Sequence, residues 1–238
     1  MIRENLVIPY HVKRGIRPNE IGAIRKPAHC VGMDLETNEE TGEPFLLVMC
    51  DESGSKAYPC CKINAFQTFS SLLQSILSRS RATVVGFHNL EFDLTAMLLP
   101  QKDCFRESYF EVKNESTNTR LKIYFGKVIW GYFEQLTDTS TRRIKFGPRR
   151  ILIIDTARFF PYSLAKVAKD LQLNHQKMPY PGQHNTQEFI QYAINDGLVQ
   201  RDLVEHIVSL HKKFDLKMTV STPAFAQRFF ATGLLHGP

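Results

Sequence analysis

No apolar run in this chain is long enough to cross a bilayer. The longest, such as Phe45–Cys50, fall far short of the ~20 residues a spanning helix needs. The opening segment MIRENLVIPYHVKRG has neither the apolar stretch nor the small-residue cleavage site of a secretory signal. A soluble, intracellular protein with no membrane partner is expected. Cysteine is scarce and unpaired in pattern: Cys30, Cys50, Cys60, Cys61 and Cys104 make an odd count of 5, which argues against a disulfide framework. Adjacent Cys60 and Cys61 do not match the usual zinc-ligand spacings. Internal repeats and low-complexity segments are absent too.

What is present is an ordinary globular balance over 238 residues, 43% hydrophobic and 23% charged, enough for one sizeable core. Lysine and arginine outnumber the acids by 6, and the sequence pI is about 9.1. Such a surplus suits a polyanionic partner such as nucleic acid.

Residues 1–28 mix Arg, Lys, Pro and Gly and read as an N-terminal arm. His29–Leu35 and Phe45–Cys50, around a turn at Asn38–Pro44, predict a β-hairpin, with Ser55–Pro59 as a third strand. Helical spacing of Phe66, Phe69, Leu72, Leu73, Ile76 and Leu77 predicts an amphipathic helix over Ala65–Leu77. Thr83–Phe87 reads as a buried strand, and Phe92–Leu99 as a helix stopped by Pro100. From Tyr109 to Asp155 the pattern is mainly extended and ends in the apolar strand Ile151–Ile154. Ser163–Leu173 and Thr186–Phe214 return to helical periodicity, with Ser163 and Thr186 as N-caps. This order predicts an α/β domain, a mixed sheet covered by helices.

Three acidic segments stand out. In Asp34-Leu35-Glu36-Thr37, strand alternation puts Asp34 and Glu36 on one face. Paired carboxylates repel unless a cation lies between them, and oxygen-rich sites suit hard ions such as Mg²⁺; a solvated acidic turn would look the same. In Gly86-Phe87-His88-Asn89-Leu90-Glu91-Phe92-Asp93, Asp93 falls in the first turn of a helix that follows a strand. Functional groups favour that place, though Asp93 could equally serve the helix dipole, with Asn89 as its cap. In Tyr192-Ala193-Ile194-Asn195-Asp196, a spacing of four stacks Tyr192 and Asp196 on one helical face. An acid beside a core-facing stripe needs a partner or a metal, unless it lies at the solvated margin.

Taken in order, Asp-x-Glu, Asn-x-x-Phe-Asp and Tyr-x-x-x-Asp resemble the three exonuclease motifs of family B DNA polymerases. They also resemble the wider DEDD exonuclease superfamily, in the subtype with tyrosine in the last motif. The segment FHNLEFD is similar to the protein-primed branch of phage, plasmid and organellar enzymes, as is Asp155-Thr156…Pro161…Lys166-Val167-Ala168-Lys169-Asp170. The resemblance covers roughly Cys30 to Phe214. It implies an RNase H-like mixed β-sheet flanked by helices, and a 3′→5′ exonuclease in which Asp34, Glu36, Asp93 and Asp196 hold two Mg²⁺ or Mn²⁺ ions. Tyr192 would orient the attacking water. Thr37, His88, Asn89 and Phe92 would grip the 3′ end of single-stranded DNA. Thr156 matches a Ser/Thr-Leu motif that touches the strand, with Ala157 where the family has leucine, and Lys177 matches a lysine at the scissile phosphate.

The same resemblance divides the chain into the arm at 1–28, an exonuclease domain at 29–215 and a connector at 216–238 leading toward a polymerase palm. No segment resembles the palm motifs, so either a fragment of a polymerase or a stand-alone relative is expected. An exonuclease directed at RNA, or a nucleic-acid-binding module with an idle site, would carry the same residues. Arg142, Arg143, Lys145, Arg149 and Arg150 around Gly147-Pro148 read either as a basic hairpin that tracks a DNA backbone or as a solvated loop.

Overall fold

The computed structural model describes residues 27, 29–79, 82–98, 109–114, 119–124, 129–135, 149–182, 184 and 186–235. Strands β1 (His29–Thr37), β2 (Pro44–Asp51) and β3 (Gly54–Pro59) form an antiparallel meander. Helix α1 (Ala65–Arg79) leads to β4 (Ala82–Phe87), and α2 (Leu90–Leu98) follows it. Next come β5 (Tyr109–Asn114), β6 (Thr119–Tyr124), β7 (Ile129–Gln135) and β8 (Arg149–Asp155), then a single 3-10 turn at Thr156–Arg158. Helices α3 (Leu164–Asp170), α4 (Gln187–Lys213) and α5 (Thr222–Leu235) close the order.

All eight strands share one sheet in the order β3-β2-β1-β4-β8-β7-β6-β5. β4 lies parallel to both β1 and β8, and the remaining pairs are antiparallel. This is the mixed, helix-flanked α/β sheet of RNase H-like folds.

Period-two alternation sorts the core onto two faces. Val31, Met33 and Leu35 of β1, Val85 and Phe87 of β4 and Ile151 and Ile153 of β8 pack with α1 and α2. Their neighbours Val84, Leu152 and Ile154 face α4 with Leu203, Val204 and Ile207. Leu46, Val48 and Cys50 of β2 meet Phe189, Tyr192 and Ala193 near the start of that helix. The even-numbered side of β1 therefore faces α4, and Asp34 and Glu36 lie on it.

Glycines set how closely α4 approaches. A Cβ on Gly32 would fall 2.2 Å from the carbonyl oxygen of Gly197 and 2.3 Å from the amide of Arg201. Only a residue without a side chain lets the helix backbone rest on β1 there. The helix starts where its signals predict: the Thr186 hydroxyl accepts from the Phe189 amide at 3.1 Å, and Ser163 caps α3 in the same way. The expected helix over Phe92–Leu99 begins two residues earlier, at Leu90. Asn89 stands before it in a left-handed conformation, with φ 71, which asparagine tolerates better than most residues.

Of the expected basic hairpin, Arg142, Arg143 and Lys145 lie outside the described residues, as does the arm at 1–28 except for Pro27. Arg149 is not part of a free charge run. Its guanidinium donates to the carbonyls of Leu77 at 2.8 Å and of Ser78, neutralising the C-terminal end of α1. Helix α5 folds back on the end of α4: Phe225 packs edge-on against His211 at 4.9 Å, and Phe229 against Phe214 at 4.9 Å. No described helix is long and apolar enough to cross a membrane.

Candidate active site

Four carboxyls from three segments converge at one end of the sheet. Asp34 and Glu36 come from the last residues of β1, and α4 brings Asp196 down against them. A carboxylate oxygen from each of these three lies within 4.8 Å of the others. Asp93, in the first turn of α2, is 4% exposed. It stands outside that trio but near enough for the charges of Asp34 and Glu36 to act on it.

The electrostatics are those of crowded, mutually repelling carboxyls. Burial, then the charge of Asp196, pushes Asp34 up to about 7. Burial, then Asp34 and Asp196, pushes Glu36 up to about 8. Asp93 is raised well above the ordinary carboxylate range by burial, then by Asp34, Glu36 and Asp155. Burial also raises Asp196, although hydrogen bonding to Lys177 holds it back. Oδ2 of Asp93 and Oδ1 of Asp196 are buried acceptors with no donor. Such atoms are costly unless something fills them.

A protein cation reaches the cluster. Lys177, in the segment between α3 and α4, donates from Nζ to the Tyr192 hydroxyl at 2.7 Å and to Asp196. Burial works against its charge, but its bonds to Asp196 and Tyr192 outweigh that and hold its pKa above the usual lysine value. Tyr192 is 8% exposed; burial raises its phenol, so it keeps its proton at neutral pH.

Asp34, Asp196 and Lys177 line an open cleft of about 630 Å³ together with His88, Asn89 and Tyr162. Phe92, on the first turn of α2, is 57% exposed. Thr37 sits at the end of β1, past a register slip that pairs it with Pro44.

Two of the expected strand contacts are tied up internally. Thr156 is 0% exposed, so it has no surface to offer a strand. Its oxygen instead meets His88 Nδ1 at 3.1 Å and the Gln200 amide nitrogen at 2.9 Å. His88 Nε2 lies 2.9 Å from the Tyr162 carbonyl, which can only accept, so that nitrogen carries the proton. Burial lowers the imidazole's pKa, and the neutral ring links the Asn89 loop to the segment after β8.

No family model matches the chain, and no curated protein matches it. Solved structures do. The first is "Phi29 DNA polymerase complexed with single-stranded DNA", with a TM-score of 0.57 at 14% identity over 88% of this chain and 36% of that one. The ternary complex of Phi29 DNA polymerase with primer-template DNA and incoming nucleotide gives 0.56 at 15% identity over 88% and 35%. The chain shares its fold with Phi29 DNA polymerase. It spans about a third of the length of the Phi29 chains, and at such identity the likeness is one of fold.

Three residues around the site escape a reading of the sequence, and a fourth, Asp155, enters it only as part of a motif, with no role of its own. Asp155 ends β8 as Asp34 nearly ends β1, and its Oδ1 accepts from the Asn89 amide at 3.2 Å and the Ala157 amide at 3.0 Å. Gln200 lies one turn beyond Asp196 on the same helical face, a spacing that could have marked it. Tyr162, 58% exposed on the cleft wall, and Tyr180, edge-on to Tyr192 at 5.6 Å, sit in irregular segments where no periodicity points to them.

Proposed function

We propose that this chain is a metal-dependent 3′→5′ exonuclease acting on single-stranded DNA, the proofreading domain or a stand-alone relative of a family B DNA polymerase. The observation that carries this reading is the convergence of Asp34, Glu36 and Asp196 within 4.8 Å, with Asp93 buried alongside. Their donor set is all oxygen, as Mg²⁺ or Mn²⁺ prefers, and the orphaned oxygens of Asp93 and Asp196 fit ligands awaiting an ion. Asp34, Glu36, Asp93 and Asp196 would hold two divalent ions. When bound, such a pair stabilises both the attacking and the leaving oxygen of an in-line displacement at phosphorus.

The chain's own groups do the rest. Tyr192 retains its proton and hydrogen-bonds the attacking water rather than deprotonating it. Lys177, fixed beside Tyr192 and Asp196, supplies positive charge to the scissile phosphate. Asn89 and exposed Phe92 grip the terminal nucleotides, the phenyl ring by stacking, and Thr37 borders them. Thr156 from the core and His88 from the cleft lining fix the Asn89 loop. Residues 216–238 would be a connector to a polymerase domain.

Incubating a 5′-labelled single-stranded DNA with the protein and Mg²⁺ tests the reading. A ladder that shortens from the 3′ end, and is absent with EDTA or in Asp34→Ala, supports it. An intact oligonucleotide in both Mg²⁺ and Mn²⁺ overturns it. Faster loss of a matched RNA would change the substrate class.

A further inference from the structure

Asp202 is a buried carboxylate that this mechanism does not use. Asp202, 4% exposed, lies on α4 well past Asp196 and faces the segment that delivers Lys177. Its Oδ2 accepts from the backbone amide of His175 at 2.8 Å and from the ring Nδ1–H of the same residue at 2.9 Å. Its Oδ1 faces Arg201 Nη2 at 3.4 Å. An ionised group is retained in such a position only when donors surround it, and two of these donors belong to one residue.

The next two residues are pinned to the same helix. The Gln176 carbonyl accepts from Asn195 Nδ2 at 2.8 Å, and Lys177 reaches Tyr192 and Asp196. The Gln176 amide adds bonds to the carbonyls of Ala168 at 3.1 Å and Leu173 at 2.8 Å. Three consecutive residues of an irregular segment are thus fastened side by side along α4, with Asp202 at the far end. A lysine's stem is flexible but of fixed length, so the place of its backbone limits where the ammonium can reach. We infer that Asp202 is a positioning residue for Lys177: through His175 it sets where the 175–177 segment lies along α4, and so where the ammonium meets Tyr192 and Asp196. The catalytic consequence rests on the exonuclease reading; the positioning of Lys177 does not.

Lysine footprinting with an acylating reagent and mass spectrometry, beside steady-state kinetics, tests the inference. In the wild-type protein Lys177 should be protected, with exposed Lys166 as an internal reference. Asp202→Asn and the half-exposed His175→Ala should raise Lys177 labelling several-fold and leave Lys166 unchanged. In the kinetics, kcat should fall by about 10- to 100-fold, the scale of an ångström-sized misplacement, with KM little changed. In a Lys177→Ala background the same substitutions should cost nothing further in kcat, which a general loss of stability would not produce. Unchanged Lys177 labelling in folded His175→Ala overturns the inference, and so does full additivity with Lys177→Ala. Should Asp202→Asn fail to fold, His175→Ala decides alone. Release of Lys177 in the variants of a protein that degrades no DNA would keep the positioning role and discard the nuclease.

Discussion

Replacing Gly32 by alanine would force the sheet and α4 apart. The added Cβ would stand 2.2 Å from the Gly197 carbonyl oxygen and 2.3 Å from the Arg201 amide, both backbone atoms of a long helix. A carbon meets a carbonyl oxygen comfortably at about 3.3–3.6 Å, so the two elements must separate by about 1 Å. No side chain can swing aside to absorb the strain. Overpacking of this kind costs about 1–3 kcal/mol, and in a domain of this size each kcal/mol lowers Tm by about 2–4 °C. The larger effect is on the site. Asp196 rides on the displaced helix while Asp34 and Glu36 stay with the strand, and an ångström of misplacement can remove about 100-fold in rate. Thermal melting and single-turnover cleavage of labelled DNA are the assays. Gly42→Ala is the control: it has φ +68 and nothing within 4 Å, so it should lose about 1–2 kcal/mol to backbone strain and keep its cleavage rate. A Gly32→Ala protein with wild-type Tm and rate would refute the reasoning.

Asp34→Asn should abolish cleavage yet raise Tm in EDTA, because it removes a charge that burial and Asp196 disfavour; a lower Tm would count against the repulsion. Without metal, stability should fall as pH rises from about 4 to about 8. Asp34 and Glu36 are raised to about 7 and about 8 from ordinary values of 3.8 and 4.5, so in that window the folded chain holds protons that the unfolded chain has released. Mg²⁺ should flatten the fall, since its ligands must be deprotonated, and a flat metal-free melting profile would contradict the pKa directions. Tyr192→Phe should leave partial activity, because the ring stays in the core and only the hydroxyl is lost; an unchanged rate would remove its role with water. Phe92→Ala should weaken binding of single-stranded DNA by about 1–3 kcal/mol, the worth of one stacked base, without changing Tm, as titration with a labelled oligonucleotide in Ca²⁺ would show.

The parts of this fold that can be read from sequence are those where one periodicity dominates. β4 and β8 announce themselves by β-branched apolar runs, and α4 by its apolar stripe and its Thr186 cap. The same alternation puts Asp34 and Glu36 on one side of a strand, and the four-residue spacing puts Tyr192 with Asp196. What local pattern cannot supply is the third dimension of the site. That α4 lands on β1 depends on Gly32, and its fit against Val48 and Cys50 of β2 on Gly197, glycines that look unremarkable in a strand and a helix. Thr156 is named as a strand contact only by resemblance to a motif, and its hydroxyl turns inward to His88 and Gln200, while Arg149 reads as part of a basic run but caps α1. The Asp202–His175 bond joins residues 27 apart and leaves no mark on either local pattern.

The two faces of the sheet divide labour in a way that matters to anyone redesigning the protein. The larger apolar cluster lies with α1 on the side away from Asp34, Glu36 and Asp196, while those acids share their side with α4. Thermostability can therefore be sought by refilling positions such as Leu73 and Ile76, on the other face of the sheet from Asp34 and Glu36, while sparing the first turn of α2 because it bears Asp93. On the α4 side there is no such latitude, since every added methyl shifts the platform on which the acids meet. Robustness and chemistry are physically partitioned, and a library built on the first face should yield hardier proteins without sampling new activities.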